Sequence, residues 1–328
     1  MKERNKAALS RIGATFWGAR GSLPATITEK QIRDKLFQVL ARTRGINLDT
    51  VEGISSFIET LPFSLRSTYG CNTSCVEIRG AEDYILCDAG TGIRDFGGFV
   101  MKHQKSEDVN IFHLFISHLH WDHIQGFPFF TPAYIPGNRV NIYGGHERLE
   151  EAFIRQQESI SFPVPLDRMA ADIRFNVMET DREYEIGGLK VRAIKQDHPG
   201  GSFSYRFSRQ DMAIVYSTDS EHKPEDEEGK NVYLEFIRDA DILIFDAQYS
   251  LLDAMGAKEN WGHSSNLLGV ELAVEANVKR LILFHNEHTY EDDQLEQFLE
   301  DTRQYLKIYD ESNPLKIDLA YDGMDIEV

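Results

Sequence analysis

The chain has 328 residues, 41% of them hydrophobic, which is enough for a large core, and 35 Lys+Arg against 53 Asp+Glu give a net charge of −18. A surface of that average sign repels polyanions and counts against an extended nucleic-acid partner. Cys71, Cys75 and Cys87 are too few for a disulfide framework or a Cys-rich zinc site, so buried or half-buried thiols are expected.

Lys2, Arg4 and Lys6 precede too short an apolar stretch for a secretory leader. There is also no run of about 18 apolar residues to span a bilayer. A cytoplasmic protein with no membrane partner is therefore expected.

An early strand, "GATFWGARGS", and a second, "TSCVEIRG", are separated by an insertion at about residues 23–69. In it Thr28 and Gln31 form a capping box, and Ile32, Leu36, Val39 and Leu40 follow at helical spacing. A second helix is expected from Thr50 to Leu61, with Val51, Ile54, Ile58 and Leu61 on one face and Pro62 as its stop. The pair would be a lid or a homodimer contact. The whole chain, insertion included, reads as one domain over 1–328.

Beyond the insertion, short apolar runs end repeatedly on His or Asp. "VNIFHLFIS" runs into His118, "LKVRAIKQD" into His198, and "MAIVYSTD" ends at Asp219. "ADILIFDA" contains Asp246, and "VKRLILFH" ends at His285. Each has the length and β-branched or aromatic content of a strand. Five strands delivering such residues at one edge would make one site. A further helix is expected from Ser265 to about Asn277, with Leu267, Val270 and Val274 inward. The acidic stretch Glu221–Glu228 reads as a solvated loop.

The densest chemistry is "SHLHWDHIQG", Ser117–Gly126. In extended chain His118 and His120 point the same way and can grip one metal ion. Asp122 and His123 follow a further turn, which suits a second ion about 3.5–4 Å away, a standard arrangement for cleaving phosphodiesters. His198, Asp219 and His285 supply a third His, a bridging carboxylate and another His. His222 reads as an exposed loop residue, and His103, His113, His146 and His288 as structural. Phe127, Phe129, Phe130, Tyr134 and Phe162 form aromatic loops that would stack on a base or pack the core. Arg20 is a candidate phosphate contact.

His118-x-His120-x-Asp122-His123, followed by His198, Asp219 and His285, resembles the metallo-β-lactamase superfamily. "ILCDAGTGIRDFG" is similar to its early strand and Gly-rich loop, with Asp88 the structural aspartate. "WGHSS" resembles the His-Ser-Thr segment of ribonuclease Z and its phosphodiesterase relatives. With "RGSLPA", "YGCNTSC" and "FDAQY", the closest resemblance is to cyclic-nucleotide phosphodiesterase-like hydrolases. Cys71 stands where that pattern has Gly, which bears on the loop and not on the metal ligands.

The resemblance implies an α/β fold, the αββα sandwich of two mixed β-sheets flanked by helices. It implies two divalent metal ions, zinc first with manganese or iron also open. His118, His120 and His198 would hold one and Asp122, His123 and His285 the other, with Asp219 bridging. A bridging hydroxide would attack phosphorus. Asp122 and His263 would be catalytic, His263 contacting the phosphate and protonating the leaving oxygen, and Asp246 would orient His263. The implied function is hydrolysis of a small phosphodiester, a cyclic nucleotide first. "WGHSS" argues against a glyoxalase II-type thioesterase, and His120 against a flavodiiron oxidoreductase. A ribonuclease Z-like RNA endonuclease and a catalytically silent ligand sensor are the alternatives, the first without an obvious basic tRNA-binding arm.

Overall fold

The computed structural model describes residues 11–103, 109–180, 182–222, 226–248 and 262–328. Lys2, Arg4, Lys6, Tyr249, Trp261 and the centre of the acidic stretch, residues 223–225, lie outside the described residues.

The strands in chain order are β1 (Gly13–Gly18), β2 (Cys75–Arg79), β3 (Tyr84–Cys87), β4 (Ile111–Ile116), β5 (Arg139–Gly144), β6 (Asp172–Val177) and β7 (Tyr184–Ile186). They continue as β8 (Leu189–Gln196), β9 (Ser202–Arg209), β10 (Met212–Ser217), β11 (Ile242–Asp246), β12 (Arg280–Phe284), β13 (Lys316–Leu319) and β14 (Asp325–Glu327). Among the described residues they form two seven-stranded sheets, ordered β14-β1-β2-β3-β4-β5-β6 and β13-β12-β11-β10-β9-β8-β7. Each sheet is mixed: β14 to β3 run antiparallel and β3 to β6 parallel, while β7 to β10 run antiparallel and β10 to β13 parallel.

Burial follows from that pairing. Parallel strands covered on both faces read as continuous apolar runs, as in β4 (IFHLFI) and β11 (ILIFD). The antiparallel β8 alternates buried Val191 and Ala193 with exposed Lys190 and Arg192. A core of Phe16, Phe115, Tyr205, Phe207, Tyr216 and Phe284 fills the space between the sheets. Helices close the outer faces and complete the αββα order. Helices α4 (Gly92–His103) and α6 (Leu149–Gln156), with the single turn α5 (Trp121–Ile124), cover the first sheet, and α7 (Glu227–Ile237), α8 (Asn266–Glu275) and α9 (Asp292–Tyr309) cover the second. In α8 Val270, Leu272 and Ala273 are buried, while Leu267 and Val274 are half-buried.

The 23–69 stretch carries α1 (Glu29–Ala41), with the Thr28–Gln31 capping box in place, α2 (Val51–Thr60) and the single turn α3 (Phe63–Arg66). The apolar spacing of α1 and α2 does not translate into burial. Ile32, Leu36, Leu40, Val51, Ile54 and Ile58 are all exposed, and Phe57 and Leu61 do the packing. Polar contacts at the start of α9 fasten the insertion instead. Lys35 pairs with Asp292, and Glu296 accepts from Ser64 Oγ and from Phe63 N at 2.8 Å. No helix among the described residues is long and apolar enough to cross a membrane.

Two tyrosines fasten one sheet to the other through the core. Tyr205 on β9 donates to Ile116 O on β4 (2.6 Å), and Tyr216 on β10 donates to Asp88 Oδ2 beyond β3 (2.6 Å). Replacing Tyr216→Phe removes one donor from a buried carboxylate, and a loss of about 1–3 kcal/mol is expected. Urea unfolding of both proteins checks this, with an unchanged slope and a lower midpoint expected; equal midpoints would remove the claim.

Candidate metal centre

The site sits where β4, β8, β10, β11 and β12 end. Asp88, Asp219 and His285 follow directly on strands β3, β10 and β12 or one residue beyond, and all have left-handed backbone, with φ of 62°, 49° and 62°. Ser22, at φ 61°, shares it. Such a conformation costs roughly 1–2 kcal/mol in a residue with a Cβ, and here it turns strand-end side chains back over the sheet edge. Close approach completes the arrangement: a Cβ on Gly21 would meet the His285 ring at 2.3 Å.

The structure brings His118, His120, Asp122, His123, His198, Asp219 and His285 together in two sets. His198 Nε2 lies 3.2 Å from His120 Nδ1, with His118 beside them. His123 Nε2 lies 3.2 Å from His285 Nε2, and Asp122 Oδ2 is 3.2 and 3.1 Å from those two nitrogens. Asp219 stands between the sets. Its Oδ1 is 3.3 Å from both His123 and His285 Nε2, and its Oδ2 is 3.6 and 3.8 Å from His118 and His198 Nε2.

Partners on the far side fix each ring. His123 Nδ1 donates to Asp88 (2.7 Å), and His198 Nδ1 donates to Gly262 O (2.7 Å). Ser117 Oγ gives its hydrogen to Asp88 and so accepts from His118 Nδ1 (3.1 Å). Three histidines thereby present Nε2 inward, the orientation that carboxylate, carbonyl and hydroxyl partners impose on metal-ligating imidazoles. Asp122 is held by the backbone N–H of Ser22 at 2.8 Å.

Burial lowers the pKa of His118, His120 and His198, so they are neutral, the form that donates to a cation. Burial works against charge on Asp219 and Asp122 too, but the neighbouring His285 and His123 outweigh it and keep both ionised. Burial likewise opposes charge on His123, yet Asp122, Asp219 and Asp88 raise its pKa.

The donor set fits divalent cations. His118 Nε2 is buried, faces the cluster and has no hydrogen-bond partner among the described residues. Donor atoms 3.1–3.3 Å apart within the sets are close enough to share one ion at the usual metal–nitrogen distances of about 2.0–2.1 Å.

His263 comes to the same place. Its Nδ1 is 3.0 Å from Asp246 Oδ2 and 3.9 Å from Asp219, and its ring stacks on His285 at 5.1 Å. Burial resists its charge, but Asp246 prevails and the pKa is pushed up to about 9. Asp246 is fully buried and also accepts from Ser220 N at 3.1 Å.

Arg20 does not face the site, which corrects the expectation of a phosphate contact. It is 4% exposed; Nε donates to Gly70 O, Nη1 to the carbonyls of Glu287 and Tyr290, all at 3.0 Å, and Nη2 faces Asp292 at 3.9 Å. The guanidinium braces the loop after β12 and is spent there. His222 is also not an exposed loop residue. It is half-buried between Tyr233 and Phe245, and burial pushes its pKa down to about 4. Phe127 and Phe130 are core residues and Tyr134 is half-buried, so of the aromatic loops only Phe129 and Phe162 remain at the surface of a cavity. Cys75 and Cys87 are buried thiols; Cys71 is half-buried, its N–H donating to Asp322 at 2.9 Å.

Sequence reasoning did not single out His146 for the site. It lines a cleft of about 500 Å³ with His118 and His120, its Nε2 buried and without a hydrogen-bond partner among the described residues. Its only sequence signal is its place just after β5, at the same sheet edge.

Residues 83–286 match the model of a β-lactamase superfamily domain. A ribonuclease Z of Picrophilus torridus is 27% identical over 237 residues, 56% of this chain and 71% of that protein. The metallo-β-lactamase fold protein YhfI from Bacillus subtilis has a TM-score of 0.64 at 18% identity, covering 97% of this chain and 99% of that one. Yeast PDE1 also has a TM-score of 0.64, at 13% identity and the same coverage.

Replacing Arg20→Leu strands three carbonyls and Asp292, and a loss of about 3–5 kcal/mol is expected. Thermal and urea unfolding measure it; a variant as stable as the parent would return Arg20 to the list of substrate contacts.

Proposed function

The chain belongs to the metallo-β-lactamase superfamily of metal-dependent hydrolases, and from that premise we propose that it is a binuclear phosphodiesterase acting on a small phosphodiester, a cyclic nucleotide first. The observation that carries the reading is Asp219, whose two oxygens face two separate sets of inward nitrogens. His118, His120 and His198 would hold one ion, Asp122, His123 and His285 the other, and Asp219 both. Ions held there supply an activated water at neutral pH and neutralise charge on the phosphate oxygens. Zinc suits the donor set best, with manganese and iron compatible.

The chain's own contribution beyond the ligands is His263. Asp246 anchors the ring at 3.0 Å and stabilises its charged form, so His263 is placed to give a proton to the departing ester oxygen. Asp246 is the positioning residue. A proton donor beside a paired-cation site suits a poor leaving group such as a ribose oxygen.

An RNA endonuclease is the second reading, favoured by the similarity to the Picrophilus ribonuclease Z. Against it stands the net charge of −18, which does not attract a long polyanion.

The test measures metal content alongside hydrolysis of bis(p-nitrophenyl) phosphate, 2′,3′- and 3′,5′-cyclic nucleotides and a precursor tRNA. About two ions per chain are expected, with turnover of the small esters. His263→Ala should keep the ions and lose roughly 10²–10⁴-fold in kcat. Cleavage of the tRNA alone would establish the second reading, and bound ions with no turnover would favour a ligand sensor.

A further inference from the structure

Beside the metal cleft is a cavity of about 620 Å³, within the roughly 300–1,000 Å³ range of small-ligand sites. Trp121, Phe129 and Phe162 line it, together with Arg148 and Arg155. Trp121 is 81% exposed and Phe129 56%, and Phe129 meets Phe162 edge to face at 5.4 Å. Single exposed apolar residues are ordinary, but three aromatics around one cavity form an apolar patch of the kind that marks a ligand site.

The cavity is joined to the chemistry. Leu119 and Arg148 form part of its wall and also part of the cleft that contains His118 and His120. Trp121 stands between His120 and Asp122 in the chain, so one turn sends two ligands toward the ions and an indole toward the solvent side of the cavity. Arg148, Arg155 and Glu151 leave this wall one net positive charge in a chain of net charge −18, with Arg148 forked onto Glu151.

We propose that this cavity seats the nucleobase of the phosphodiester whose phosphate lies at the metal centre. The proposal rests on the phosphodiesterase reading and deepens it by giving the base of a nucleotide ester a seat of its own. Aromatic side chains stack on any base, each stack being worth about 1–3 kcal/mol, so the site selects a flat ring without selecting which one. Arg148 lines both the cavity and the cleft, so it stands at the passage from the ring to the phosphate.

The test is isothermal titration of the metal-loaded full chain with adenosine 5′-monophosphate and with ribose 5-phosphate, which share the phosphate and sugar but not the base. The wild type is expected to prefer the nucleotide at least ten-fold. Trp121→Ala and Phe129→Ala, both at exposed positions, should each bring that ratio toward one while metal content stays the same. Equal or absent binding of the two ligands by the wild type overturns the proposal, as does a ratio that survives in both variants. Phosphodiester turnover is scored separately. A base preference that the variants abolish, in a protein that cleaves no phosphodiester, would sink the hydrolase reading and keep the cavity's role; turnover without base preference would do the reverse.

Discussion

The Asp88 carboxylate is the point on which the molecule turns. It is fully buried and takes four hydrogen bonds: from Ser117 N and Ser117 Oγ at 2.7 Å each, from His123 Nδ1 at 2.7 Å and from Tyr216 at 2.6 Å. Three of these fix the turn that opens the histidine cluster, and the fourth reaches the other sheet. A buried carboxylate is tolerated only when fully satisfied, so sheet packing and ring orientation stand or fall together. The left-handed backbone of Asp88 is part of the same constraint.

Much of the site was legible because His118, His198, Asp219 and His285 come at or just past strand ends, where apolar periodicity breaks on a His or Asp; Asp122 and His123 sit in the helical turn Trp121–Ile124 that follows. Such breaks are visible without a structure, and the two-residue alternation of extended chain explains why His118 and His120 act together. The left-handed backbone at Asp219 and His285 was not legible, since neither residue type announces it. Arg20 was misread for a physical reason. Its phosphate-like partners are three carbonyl oxygens and Asp292, all far away in sequence, and no local pattern records them.

The fold class was legible from runs of buried strand, while the fate of helix faces was not. Periodicity in α1 reports an apolar stripe but not what covers it, and here the chain leaves Leu36 and Leu40 in solvent. Within "FPFF" the sorting into core and cavity depends on the 3-10 turn Phe127–Phe129, which buries Phe127 and Phe130 and turns Phe129 outward. Composition alone made those phenylalanines equivalent.

The topology also dictates when the centre can exist. His123 and His285 meet across 162 residues, because the first sheet carries the cluster and the second carries its complement. On a ribosome adding about 5–20 residues per second, roughly 8–30 s separate the emergence of the first ligands from the last. During that interval the nascent chain bears an open set of three histidines and an aspartate, so the centre is among the last parts of the molecule to close.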